Sequence, residues 1–331
     1  MKPRPGGSID QLITRRALLA LPLLGVGAGC RPVTPLAAQA ETKLPETSLL
    51  HSEPRTTLTF GGDVMLSRYV GKLARMKNDP AWPFRAIAPL FAAADIAFVN
   101  LESPFCPTRS ADAGMVFKAQ ASMMEGLMLA GIDVVSTANN HARDCGPAGI
   151  EGTLDLLRKN GIAAAGTATS EARLREGVVL ERNGIKFGFL GYTYDQRNGN
   201  YPQDDERIAG MNIGRMQEDV SGMLTRGAGA VIVSMHAGDE YQPRPNRQQK
   251  MFARAAIEAG ASLVIGHHPH VVQPSEAYQG GVIFYSLGNL IFDQDLPGTR
   301  RGLIVNAVFS AAKLDSVSAL TVKIENTAAK L

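Results

Sequence analysis

Leu263-Val264-Ile265-Gly266-His267-His268-Pro269-His270 is a short apolar run that ends in three histidines within four positions. The run has the length and β-branched content of a buried strand. Three histidines around a proline serve little packing purpose, and neutral imidazole is a common ligand for zinc, manganese or iron. In an extended segment, His268 and His270, one residue apart, would point to the same side.

The same juxtaposition of strand and ligand-type side chains recurs along the chain. Thr57-Leu58-Thr59-Phe60 runs into Gly61-Gly62-Asp63, and Ile96-Ala97-Phe98-Val99 into Asn100-Leu101-Glu102. Val134-Val135-Ser136-Thr137 leads to Asn139-Asn140-His141, and Val231-Ile232-Val233-Ser234-Met235 to His236, with Asp239 and Glu240 just beyond. Val282-Ile283-Phe284-Tyr285 leads to Ser286-Leu287-Gly288-Asn289. Of six histidines only His51 lies outside these clusters, so the histidines are gathered at strand ends.

Strands are predicted over 56–61, 95–100, 133–137, 162–165, 178–183, 185–191, 229–235, 262–265, 281–286, 302–309 and 318–325. Helices are predicted over 84–93, 122–130, 147–159, 215–226 and 247–259, several ending at a glycine (Gly131, Gly161, Gly260). This alternation is the signature of an α/β fold. Asn183-Gly184 between two apolar runs signals a type I′ hairpin, so the sheets should be mixed. The polar stretch 192–212 is long for a connection and is read either as a loop over the site or as a solvated excursion.

With 331 residues, 45% hydrophobic and 20% charged, the chain can bury a full core. The net charge of +3 is misleading: residues 1–40 contribute +4, leaving −1 for the remainder, which argues against nucleic acid binding. Thr14-Arg15-Arg16-Ala17-Leu18-Leu19 sets a twin-arginine pair before an apolar run, Ala17 to Gly29, too short to span a bilayer. Residues 1–40 are therefore expected to be a twin-arginine-type signal peptide cleaved after Ala40. Lipidation at Cys30 is the alternative and the only expected membrane attachment. Residues 41–55 read as a polar linker and 56–331 as one domain, exported to the periplasm or cell envelope. In an oxidising compartment Cys106 and Cys145 can form a disulfide, two unpaired thiols being the alternative.

In open α/β sheets ligands sit beyond the carboxyl ends of strands, so six such ends would share one rim. Taken singly, each cluster has an ordinary structural reading. Asp63 would cap a helix, Asn139-Asn140 shape a turn, His236 be a core histidine, Glu240 a surface charge and Asn289 a turn residue. Taken together they describe a site for one or two divalent ions, with bound water as the nucleophile. No nucleophile elbow, P-loop or dinucleotide fingerprint competes with it.

These clusters resemble the CapA/PgsA poly-γ-glutamate capsule biosynthesis family, related in fold to calcineurin-like metallophosphoesterases. Phe60-Gly61-Gly62-Asp63-Val64-Met65-Leu66, Val99-Asn100-Leu101-Glu102, Ala138-Asn139-Asn140-His141, His236-Ala237-Gly238-Asp239-Glu240-Tyr241, Gly266 to Gln273 and Tyr285-Ser286-Leu287-Gly288-Asn289 carry the likeness, in the family's order. The resemblance implies a four-layer α/β/β/α sandwich with two mixed β-sheets. It implies Asp63, Glu102, Asn140, His236, His268 and His270 as metal ligands. His141, with Asn140 and Asp63, would be catalytic, and Asn139, His267, Glu240 and Asn289 would contact substrate. The expected partner is an anionic polymer or phosphoester substrate and, at the envelope, an export complex. Activity is expected to be hydrolytic, the alternative being a non-catalytic accessory protein. Two positions depart from the phosphoesterase pattern: Met65 stands where a first-strand histidine is usual, and Glu102 where an aspartate is.

Overall fold

The computed structural model describes residues 55–106, 115–195 and 204–331. The expected signal peptide, Cys30 and the linker up to residue 54 lie outside the described residues, as does 196–203 of the long polar stretch.

Fourteen strands are described. They are β1 (Arg55–Val64), β2 (Ile96–Leu101), β3 (Val134–Ser136), β4 (Ala163–Ala165), β5 (Val178–Arg182), β6 (Ile185–Thr193) and β7 (Ala230–His236). The second half holds β8 (Leu263–His267), β9 (Ser275–Tyr278), β10 (Gly281–Phe284), β11 (Asn289–Ile291), β12 (Arg301–Ser310), β13 (Lys313–Glu325) and β14 (Ala328–Lys330). One sheet runs β14-β13-β12-β1-β2-β3-β4, with β11 also pairing β1; the other runs β5-β6-β7-β8-β10-β9. Strands β1 to β4 are mutually parallel, as are β6, β7, β8 and β10, and antiparallel strands close one edge of the first sheet and both edges of the second. The expected hairpin is present: Arg182 pairs Ile185, and Asn183 and Gly184 both have positive φ, 51° and 78°, as a type I′ turn requires.

The apolar runs are continuous because both faces of each central strand are covered. On β2, Ile96 and Phe98 face the opposite sheet while Ala97, Val99 and Leu101 face helices. On β7, Ala230 and Ile232 face the sheet, and Val231, Val233 and Met235 the helices. Phe98 stacks on Phe189 across the inter-sheet core at 6.0 Å and 13°; truncating it to alanine should cost about 3–5 kcal/mol. Helices α1 (Arg68–Met76), α2 (Ala88–Ala92), α3 (Met124–Leu129) and α4 (Gly146–Lys159) cover the first sheet. After α5 (Glu171–Glu176), α6 (Ile213–Thr225) and α7 (Arg247–Glu258) cover the second. The result is the expected α/β/β/α sandwich.

The differences are local. The helix expected over 84–93 is a 3₁₀ turn at Trp82–Phe84 followed by the short α2, because Pro83 and Pro89 each start a new turn. Helix α1 was not expected; it follows β1 so closely that no turn signal separates them. Strands β9, β11 and β14 and helix α5 were also unexpected, each only three to six residues long.

Candidate metal centre

The same alternation that builds the inter-sheet core delivers the polar residues. Continuing the inward parity of β2 past Ile96 and Phe98 gives Asn100 and then Glu102; on β7 it gives Ser234 and His236; on β8, past Leu263 and Ile265, it gives His267. All five are buried. On β1 strict alternation from Phe60 would turn Asp63 to the helix side. A register irregularity between Phe60 and Asp63 restores it to the inter-sheet face. Gly61 and Gly62 lie within that irregularity, and a Cβ on Gly62 would stand 1.9 Å from the Gly288 carbonyl oxygen. Asp63 thus lies inside a strand and caps no helix.

Asp63 is fully enclosed. Its Oδ1 accepts from Asn100 Nδ2 (2.8 Å) and lies 3.2 Å from His267 Nδ1; its Oδ2 lies 3.3 Å from His270 Nδ1 and accepts from the His268 amide (3.3 Å). His236 Nε2 is 2.9 Å from Asn140 Oδ1 and 3.2 Å from His268 Nδ1, while His268 Nε2 is 3.1 Å from the Tyr194 hydroxyl. Glu102 Oε1 lies 3.9 Å from His236 Nε2 and 3.7 Å from His270 Nε2, beyond hydrogen-bond reach of both. His268 and His270 reach the centre not through extended backbone but with φ of 96° and 57°. Such left-handed conformations are costly for residues with a Cβ and cluster at functional sites.

Donor atoms of Glu102, His236 and His268 lie within 4.8 Å of one another, as do those of Asp63, Glu102 and His270, and those of Glu240, His268 and His270. Glu102 is common to the first two groups. Both of its carboxylate oxygens are buried and have no hydrogen-bond partner. An acceptor in that state is costly to fold around unless something positive meets it. Burial, then the charges of Asp63, Glu240 and Asp144, pushes the Glu102 carboxyl well above its ordinary range. Burial opposes ionisation of Asp63 too, but His267 and His270 outweigh it and hold that carboxyl well below the usual range. Burial and the neighbouring His268 keep His236 neutral, and burial with His270 pushes His268 down to about 3. Imidazoles, two of them (His236 and His268) held neutral by burial, with carboxyl groups and one orphaned acceptor pair, make a donor set that fits a divalent transition ion. Residue 65 adds nothing: the Met65 sulfur is buried and accepts from the amide (3.2 Å) and hydroxyl (3.1 Å) of Ser67.

His141 lies beside this centre with its backbone held by one contact and its ring by two. Its amide donates to Asn139 Oδ1 (3.1 Å), its Nδ1 is 2.8 Å from Asp144 Oδ2, and its face stacks on Phe117 at 3.7 Å between centroids. Cys145, next to Asp144, is joined to Cys106 by a disulfide with a Cα separation of 5.8 Å. The loop after Glu102 is therefore tied to the loop carrying His141.

All of Asp63, Glu102, Asn140, His236, His268 and His270 are brought together. Glu240, half-buried, joins them through His268 and His270. Three residues expected to touch substrate are buried among the side chains of the site. His267 is fully enclosed between Asp63 and Phe98. Asn289 is buried with its Oδ1 2.9 Å from His270 Nδ1, and Asn139 is buried and donates to the Leu101 carbonyl (2.9 Å). Sequence reasoning quoted Asn100 beside Glu102 without giving it a role, and passed over Tyr194, Phe117 and Asp144. Asp144 had a local signal, three residues after His141; Tyr194 and Phe117 are recruited from afar.

Residues 57–294 match the family model described as bacterial capsule synthesis protein PGA_cap. The chain is 32% identical over 283 residues to the PGA biosynthesis protein CapA of Bacillus subtilis, covering 81% of this chain and 71% of that one. It is 28% identical over 265 residues to the capsule biosynthesis protein CapA of Bacillus anthracis, covering 76% of this chain and 63% of its relative. A hypothetical protein from Thermus thermophilus superposes with a TM-score of 0.50 at 16% identity, over 80% of this chain and 98% of its own. The calcineurin-like phosphoesterase YfkN of Bacillus subtilis gives 0.45 at 14% identity, over 81% and 91%.

Proposed function

This chain belongs to the bacterial capsule synthesis protein PGA_cap family, and on that premise we propose that it is an exported, metal-dependent hydrolase acting on a phosphoester or amide-bonded polymer of the cell envelope. The observation that carries the reading is Glu102: a buried carboxylate with both oxygens unpartnered, among three imidazoles and a second carboxylate.

In this reading Asp63, Glu102, Asn140, His236, His268 and His270 hold one or two divalent ions. The ion, when bound, supplies an ionised water near neutral pH and positive charge for a developing oxyanion. The two donor groups are unequal. Glu102, His236 and His268, with Asn140 alongside, form the richer one; Asp63, Glu102 and His270 have no help from Met65 and form the weaker. His141, held by Asp144 and Phe117, presents its second ring nitrogen as donor to a leaving oxygen. Asn100 and Asn289 orient Asp63 and His270, and His267 backs Asp63. The half-buried Glu240 and Tyr241 and the exposed Tyr194 stand where a substrate would enter. Export and an envelope location rest on the twin-arginine leader of residues 1–40.

A second reading is favoured by Met65: a centre short of one ligand could serve a non-catalytic accessory protein that binds poly-γ-glutamate or its export machinery. Metal analysis of the purified chain, with a screen of phosphoester and γ-glutamyl substrates, separates the two. Hydrolysis that His268→Ala abolishes together with metal content supports the first. Absence of any bound transition metal, with a melting temperature unmoved by manganese or zinc, would refute it.

A further inference from the structure

Between residues 244 and 258 four cations, Arg244, Arg247, Lys250 and Arg254, face one carboxylate, Glu258, whereas the rest of the chain beyond residue 40 carries a net −4. All four are exposed, while Phe252, Ala253, Ala256 and Ile257 bury the opposite face of α7 against the second sheet. Arg247, Lys250, Met251 and Arg254 line a shallow cavity of about 400 Å³ on that exposed face. Arg254 is bound to Glu276 at 2.7 Å. The side chains of Arg244, Arg247 and Lys250 make no ion pair or hydrogen bond among the described residues.

The position of these charges is unfavourable for the fold itself. Arg247 and Lys250 occupy the first turn of α7, where the helix dipole already presents positive charge and the turn itself holds no acidic residue; Asp239 on the N-cap Asn246 and Glu276, whose field reaches Lys250, offset it only from outside the turn. The first turn is otherwise well made: Asn246 and Gln249 form a reciprocal capping box. Excess cation there adds to the potential felt by an anion rather than to stability.

The stripe starts beside the metal centre. Asn246 Nδ2 donates to Asp239 Oδ2 (3.2 Å), and the next residue, Glu240, shares a donor group with His268 and His270. The Tyr241 amide donates to the Pro269 carbonyl at 2.8 Å, fastening this loop to the histidine run. From Arg244 to Arg254 the charges then lead away along the outer face of the helix.

We propose that the exposed face of α7 is a docking track for a polyanionic chain bearing carboxylates along its length, holding it while one unit lies at the metal centre. This rests on the proposed function for the identity of the site, but its charge is independent of catalysis. An anionic membrane is disfavoured as occupant because Met251 is the only large apolar side chain exposed on this face among the described residues, too little to anchor an interfacial helix.

The test is binding of fractionated poly-γ-glutamate to the full chain and to the triple variant Arg244→Gln, Arg247→Gln, Lys250→Gln, across a salt series, with metal content and melting temperature measured in parallel. The expected result is at least a tenfold loss of affinity and a shallower salt dependence, with metal content unchanged and melting temperature equal or higher. Equal affinity of variant and parent overturns the inference, and so does absence of polymer binding by the parent; retained metal content in either case leaves the proposed function standing. Vesicles containing phosphatidylglycerol are the second arm. If the triple variant loses vesicle binding but keeps polymer binding, the face serves a membrane and the inference fails.

Discussion

Glu102→Gln should move the metal-free and metal-loaded proteins in opposite directions. In the wild-type chain without metal, two buried carboxylate oxygens go unpartnered, and burial together with Asp63 disfavours the ionised form. Glutamine keeps the shape and removes the charge. At pH 7 the unfolded chain ionises this carboxyl and the folded chain resists ionisation, a cost of up to about 3 kcal/mol that glutamine does not carry, and for a domain of this size each kcal/mol moves the melting temperature by roughly 2–4 °C. The metal-free variant should therefore melt no lower than the parent, and up to about 10 °C higher. Loading acts the other way. An ion at 100 times its Kd stabilises by about 2.7 kcal/mol, or roughly 5–11 °C. Because Glu102 belongs to both donor groups, the variant should lose most of that increment. Differential scanning fluorimetry with chelator, manganese and zinc measures the metal-free and metal-loaded values of both proteins. A variant that melts lower than the parent when metal-free, yet gains the full increment on loading, would show that Glu102 is a structural carboxylate and that the centre is drawn wrongly.

Three further outcomes are expected. His268, pushed down to about 3 by burial and His270, and His236, also held below its ordinary 6.5, bind fewer protons folded than unfolded. The stability they confer on the metal-free protein is full above about pH 6.5 and is lost as pH falls from there towards 3. Urea unfolding at pH 7 and pH 5 in the Glu102→Gln background should show it, and adding His268→Ala should flatten the difference. Reducing the Cys106–Cys145 disulfide, which spans 39 residues, should cost about 4 kcal/mol by loop entropy; the Cys106→Ser, Cys145→Ser double variant should melt at the reduced value and ignore reductant. Gly62→Ala forces a Cβ to within 1.9 Å of the Gly288 oxygen, so a loss of about 3 kcal/mol or more and of metal-dependent stabilisation is expected from melting curves.

The elements that could be read from sequence were those whose signal is local and periodic. The runs at 96–99, 231–235 and 263–265 are apolar at nearly every position because both faces are covered, while 57–60 alternates threonine with Leu58 and Phe60; each announced a central strand. Their polar termini announced the rim. What could not be read depends on backbone irregularity or distant partners. Alternation alone points Asp63 the wrong way; the irregularity at Gly61-Gly62 corrects it through contact with residues 288 and 290. An extended reading of His268 and His270 was reasonable, but their left-handed backbone is set by the surroundings. Which histidine faces the donor cluster and which lies in the wall, His268 or His267, follows from that bend. Tyr194 meets His268 across 74 residues and Asn100 meets His236 across 136, separations that leave no trace in either neighbourhood.

The donor set is divided evenly between the layers: Asp63, Glu102 and Asn140 hang from one sheet, His236, His268 and His270 from the other. Deeper in the sandwich the two sheets are joined by aromatic contact such as Phe98 on Phe189, but at this end carboxylates and imidazoles replace the apolar interface. A cation there would be a clasp, reinforcing the direct contacts of Asp63 with the His268 amide and of Asn140 with His236 that already cross this end. Loading should then slow amide exchange at the tips of β2 and β7 together, making breathing of the whole edge a gauge of occupancy.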